Sequence, residues 1–199
     1  MQSRPTFAVL GFRPHTYWTA VVALAGDPSA PQVIERRRVV FADGHERFAY
    51  HQAAEVDAAK AEAFIEGIRT ATAANAAHEI GNLIADLRRD GVSVRRAVVP
   101  TGTARLPETL EDILRVHARM HAAEGAFYRD VVAAGCTALG LQVHRVVERD
   151  QPRLVRDLVG VDEPTLEARL KEIGASLGPP WSEDYRLATQ AAWLHLDEP

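Results

Sequence analysis

Apolar positions along this chain follow two different periods. Near the N-terminus they form short runs closed by turn residues. Residues 7–11 read Phe-Ala-Val-Leu-Gly, 17–25 and 33–41 are two further runs, and Arg13-Pro14-His15 and Gly26-Asp-Pro-Ser-Ala-Pro31 supply turn chemistry between them. Runs of this length bounded by Gly and Pro predict strands, here an antiparallel meander. The third run alternates imperfectly and carries Arg36, Arg37 and Arg38. It is expected at a sheet edge, where charge discourages pairing with another exposed edge.

The period then lengthens. Phe64, Ile65, Ile68, Ile80, Leu83, Ile84 and Leu87 recur at helical spacing within the Pro-free stretch 51–89, which predicts one long helix or two broken ones. Arg88 and Arg89 place cations in its last turn and Gly91 can close it. A fourth strand is expected over 94–99, with Pro100-Thr-Gly-Thr as its exit. A helix follows over 106–139, with a candidate break at Gly125 and a stop at Gly140, and a fifth strand covers 141–147. The rest reads as helices over 153–158, 163–177 and 181–196, interrupted at Gly178-Pro-Pro180, with Ser182 as candidate N-cap of the last. The strand–helix–strand unit from 94 to 147 requires a right-handed crossover and two parallel strands. The predicted class is therefore α/β: one domain over 1–199, a mixed five-stranded sheet in the order β-β-β-α-β-α-β-α, with helices on both faces.

Composition changes this picture little. With 199 residues, 47% hydrophobic and 25% charged, the chain has the make-up of a soluble globular domain. Its 27 acidic and 23 basic residues give a net charge of −4, so no global basic excess advertises nucleic acid, although a local basic face is compatible with it. Cys136 is the single cysteine; it excludes an intramolecular disulfide and an all-cysteine metal site, and fits a reducing compartment. No signal-peptide h-region or run of membrane-spanning length is present in the sequence, so a cytoplasmic location without membrane partners is expected.

Reactive side chains concentrate on the helix after the fourth strand. His117, His121 and Glu124 fall at i, i+4 and i+7, on one stripe of a helix, beside the apolar stripe of Ile113, Met120, Phe127 and Val131. Two imidazoles a turn apart with a carboxylate can ligate a metal, or pair as base and orienter; they can equally be rim residues bonded to a neighbouring helix. On the last helix Asp184 shares a face with Leu187, Ala188, Ala191 and Leu194; it either takes a partner there (Arg13, His117, His121 or a metal) or, lying in the first turn, stabilises the helix N-terminus. Arg13 is expected to neutralise Asp184 or Glu124. Cys136, Trp181 and Trp193 read as packing residues. His45, His51 and His78 belong to no motif and read as surface residues, and the remaining arginines as scattered surface charge.

The predicted element order, with Val9-Leu10-Gly11-Phe12-Arg13-Pro14-His15, resembles the ribonuclease H-like superfamily in its branch of RuvC-like Holliday-junction resolvases. The first strand of that family reads hydrophobic-Leu-Gly-Ile-Asp-Pro-Gly. Trp18-Thr-Ala-Val-Val resembles its second strand, and the helix from Glu183 to His195, with Asp184 near its start, resembles its closing helix. The resemblance implies a nuclease that holds two Mg²⁺ ions on acids at strand ends and on the last helix. Here Arg13 stands in place of the first-strand Asp, and Pro100-Thr101 stand where an acid is expected on the fourth strand.

Three readings follow. One is a divergent metal-dependent nuclease with His117, His121, Glu124 and Asp184 in catalysis, Glu124, Asp184 and His121 on Mg or Mn, and Arg13, His15 and Arg119 on DNA or RNA. Another is a catalytically inactive member that binds nucleic acid or protein. The third is a small-molecule hydrolase with a metal on the His117/His121/Glu124 helix. A homodimer is left open in each.

Overall fold

A computed structural model describes residues 6–42 and 48–196; His45 lies outside them. Three strands open the chain: β1 (Thr6–His15), β2 (Trp18–Asp27) and β3 (Ala30–Val40). Two later strands, β4 (Val92–Thr101) and β5 (Gln142–Val147), complete a sheet in the order β3-β2-β1-β4-β5. β1–β2 and β2–β3 pair antiparallel; β1–β4 and β4–β5 pair parallel. The arginine-bearing β3 lies at the edge, as its pattern predicts.

The expected turn at Arg13-Pro14-His15 does not form. These residues are the end of β1, paired with Ala20, Thr19 and Trp18, and the hairpin turns at Thr16-Tyr17, with Tyr17 at φ 64°. Pro14 is tolerated because β1 pairs with β4 only as far as Gly11↔Val98; beyond that point one side of β1 has no ladder to donate to. Both strands run on past their last pair, to His15 and Thr101. At this end of the sheet β1, β4 and β5 all terminate.

Alternation along the strands sorts side chains onto two faces. Leu10, Phe12, Val21 and Ala23 face a core closed by α2 (Ala58–Arg89) and α4 (His117–Ala138), with the short α1 (Ala49–Ala53) packed beside them. Val9, Val22, Leu24 and Val98 face the opposite layer, formed by α5 (Gln151–Val159), α6 (Glu163–Leu177) and α7 (Glu183–Trp193). Two close approaches fix these layers. A Cβ on Gly11 would stand 1.9 Å from the Ala188 carbonyl oxygen, so α7 lies directly on β1. A Cβ on Gly135 would stand 3.0 Å from the Ala77 nitrogen, so α4 crosses α2 closely. α7 is buried from Ala188 through Trp193, Gln190 included, and the Trp193 indole donates to the Pro28 carbonyl at 2.9 Å.

Helix ends are set locally. The 51–89 helix is two: α1, then α2 started by Asp57, whose carboxylate accepts from the Ala59 N–H at 2.9 Å. The break expected at Gly125 falls instead between α3 (Leu110–Leu114) and α4, at Arg115-Val116. Gly125 lies inside α4, and a Cβ there would stand 3.1 Å from an Arg129 guanidinium nitrogen. The glycine makes room for Arg129 and does not end the helix. Ser182 holds the N-cap position of α7, but its hydroxyl makes no capping bond.

The arginines of β3 are tied down. Arg36 donates to the carbonyls of Gly178 and Leu177, Arg37 to Asp86 at 2.8 Å, and Arg38 lies over the Trp18 ring. Cys136 is fully buried, and burial pushes its thiol up to about 12. Among the described residues no helix is long and apolar enough to cross a membrane.

Candidate functional site

The groups singled out in the sequence gather at the end of the sheet where β1, β4 and β5 stop, but in combinations other than those expected. Arg13 leaves β1 and sets its Nε 3.2 Å from Oε2 of Glu148, the first residue after β5. Arg129 of α4 reaches the same oxygen at 3.8 Å. Burial lowers the Arg129 guanidinium from its ordinary value, and the Glu148 charge opposes that. The pairing of Arg13 with Asp184 or Glu124 is thus replaced by one with Glu148. The resemblance places an acid at the end of β4; the acid at this end of the sheet instead follows β5, whose Val147 is level with Thr101 in the parallel register.

Asp184 finds a different partner. Its Oδ1 lies 2.7 Å from His15 Nε2, and the His15 ring stacks on Trp18 at 4.2 Å and 8°. Arg13 and His15 are two apart on one strand, so both project to the α7 side. Arg119 donates to the Asp112 carbonyl at 2.9 Å and is exposed.

A cleft of about 450 Å³ opens at this end of the sheet. It is lined by Thr101–Ala104, His121, Gly125, Arg129, Glu148 and Arg149. Among its lining residues Arg129 and Arg149 face the single carboxylate of Glu148, an excess of one positive charge. A chain of net negative charge therefore presents a positive cleft.

A second group borders the cleft through His121. His117 and His121 extend from the first turns of α4, with their Nε2 atoms 2.8 Å apart. His51, from α1, packs its ring against both, at centroid distances of 5.0 and 4.7 Å. Crowding by surrounding protein, then the neighbouring His117 and His51, holds His121 below the ordinary imidazole range. Glu124 sits beneath, 2% exposed; its Oε1 accepts from the Tyr50 N–H at 2.9 Å and lies 3.3 Å from His51 Nδ1. Burial raises the Glu124 carboxyl, while the bonds from His51 and Tyr50 pull the other way.

His51, read from sequence as a surface residue, is the missing member of this group. Only the docking of α1 on α4 brings it there. The set Glu124, Asp184 and His121 does not assemble: among the described residues the trio offering ligand atoms to one point is His51, His117 and His121.

The strand topology and the two helical layers define a ribonuclease H-like fold. Among solved structures the chain is similar to Thermus thermophilus RuvC in complex with Holliday junction substrate, with a TM-score of 0.52 and 11% identity over 95% of this chain and 92% of that one. It is equally similar to a second Thermus thermophilus RuvC structure, with a TM-score of 0.52 and 10% identity over 94% and 92%. No protein-family model and no curated protein matches the sequence. The likeness is one of fold.

The residues present do not fit the two Mg²⁺ ions that the resemblance implies. Hard cations take clustered oxygen ligands. Here the first-strand position is a guanidinium, Glu148 is held between two arginines, and Asp184 is engaged by His15.

Proposed function

We propose that this chain is a nucleic-acid-binding protein of ribonuclease H-like fold in which ion pairs replace the two-metal centre at the strand ends. The carrying observation is the Arg13–Glu148–Arg129 cluster. A cation leaves β1 where the family-like motif would place a metal-binding carboxylate, and the nearby acid is neutralised by two guanidiniums. Arg129 and Arg149 give the cleft its positive excess, which suits a phosphate backbone. The likeness to a RuvC structure bound to a Holliday junction supports branched DNA as the first ligand to try.

The test is fluorescence anisotropy with a four-way DNA junction, duplex DNA, single-stranded DNA and RNA across a salt series, beside a cleavage assay with Mg²⁺. Junction binding should weaken with salt, and Arg149→Ala should reduce the slope of log K against log salt by about 1. No Mg²⁺-dependent cleavage should appear. Cleavage that vanishes in Asp184→Asn would overturn the ion-pair reading, and absence of binding to every nucleic acid at low salt would overturn the binding role.

A further inference from the structure

We propose that His51, His117 and His121 bind one divalent transition-metal ion of the zinc type, with Glu124 as the positioning residue behind His51. The inference stands apart from nucleic-acid binding and can succeed or fail without it.

The geometry comes first. One ring nitrogen from each histidine lies within 4.8 Å of the other two, and the closest pair is 2.8 Å apart. Two nitrogens on a tetrahedral ion with bonds of about 2.0–2.1 Å stand roughly 3.3–3.4 Å apart, between those limits. Small ring rotations would close the three around one ion. Donor type comes next. Three imidazoles suit Zn²⁺, Cu²⁺ or Ni²⁺, whereas Mg²⁺ and Ca²⁺ take oxygen. The Mg or Mn expected from the family resemblance is therefore not the ion this trio selects.

The buried groups behind the rings supply a separate argument. Glu124 Oε2 and His51 Nε2 are both buried without a hydrogen-bond partner. A bond between neutral His117 and His121 rings would account for their 2.8 Å contact but for neither of these orphaned atoms. A metal on His51 would partner the Nε2 directly and place a positive charge close to the buried Glu124 carboxylate, whose Oε1 the ring's other nitrogen already faces at 3.3 Å. With Nδ1–H donated to Glu124, the Nε2 lone pair is directed to the ion, and the ion's charge offsets the buried carboxylate. Carboxylate–imidazole–metal relays are the usual means of fixing the tautomer of a ligating histidine. Three protein ligands leave a coordination position for solvent, as in open rather than structural zinc sites. His121 also borders the positive cleft, so that position lies near whatever the cleft holds.

The test uses the full chain, stripped with chelator and titrated with Zn²⁺ by calorimetry, with metal content measured after desalting. One Zn²⁺ per chain with a Kd below about 1 µM is expected. His51→Ala and His121→Ala should each weaken binding at least about 100-fold, and Glu124→Gln roughly 10- to 100-fold. His78→Ala, an exposed histidine on α2, should bind as the parent does. X-ray absorption of the loaded protein should show nitrogen ligation with imidazole scattering. Binding weaker than about 10 µM, less than one ion per chain, or parental affinity in His51→Ala would overturn the proposal. Glu124 is buried, so its variant can fail to fold. His121 is exposed, and its variant, checked by circular dichroism, keeps the test decisive.

Discussion

Gly11→Ala is the substitution that most directly tests how the closing helix seats on the sheet. Gly11 pairs with Val22 on one side and Val98 on the other, at the centre of the sheet, with α7 passing over it. An added Cβ would lie 1.9 Å from the Ala188 carbonyl oxygen, 2.6 Å from the Ala192 nitrogen and 2.9 Å from the Ala192 Cβ. Overpacking typically costs about 1–3 kcal/mol when side chains can yield. Here the nearest atoms are helix backbone, so the cost should reach about 3 kcal/mol or more, with α7 lifted off β1. For a chain of this length that lowers Tm by roughly 6–12 °C. Gly67→Ala is the matched control. Gly67 sits inside α2 with nothing within 4 Å of its added Cβ, so the change should stabilise by roughly 0.5–1 kcal/mol through helix propensity alone. Combining Gly11→Ala with Ala192→Gly should recover little, because the Ala188 oxygen stays in place. Urea and thermal unfolding followed by far-ultraviolet circular dichroism measure all three. A Gly11→Ala protein within about 0.5 kcal/mol of the parent would refute the seating of α7 on β1, and with it the ribonuclease H-like arrangement of that layer.

Two further outcomes follow from ionisation. Burial raises the Cys136 thiol to about 12, so the folded protein should resist a disulfide reagent at pH 8 and take up one equivalent after denaturation; fast labelling of the folded chain would contradict its placement. The hydrogen bond from Arg37, then that from Arg89, holds the Asp86 carboxyl below the ordinary carboxylate range. Its depressed folded value means the contribution is present above the ordinary pKa and lost as pH falls through the folded one. Asp86→Asn should therefore be less stable than the parent near neutral pH and approach it in strong acid. A difference in urea midpoint that is constant with pH would contradict the β3–α2 bridge.

The strands were legible as short apolar or alternating stretches set between turn clusters, although β1 and β4 run on through Pro14 and Pro100. The edge position of β3 was legible from its three arginines. Boundaries were less so where one residue type has two uses. Pro14 looks like a turn former and is part of β1, beyond the point where that strand's pairing with β4 ends at Gly11↔Val98. Gly125 looked like a helix stop and is a recess for Arg129. The i, i+4 spacing of His117 and His121 was also legible, being a property of one helix.

By itself, the sequence determined the order of elements, the two apolar faces of the sheet and the pairing of histidines within α4, because those depend on periodicity within a segment. Tertiary structure alone decided that Arg13 meets Glu148, that Asp184 meets His15, and that His51 completes a trio above Glu124. These partners lie far apart along the chain, on elements whose separate patterns carry no information about one another. Only strand register and helix docking bring their charges within reach.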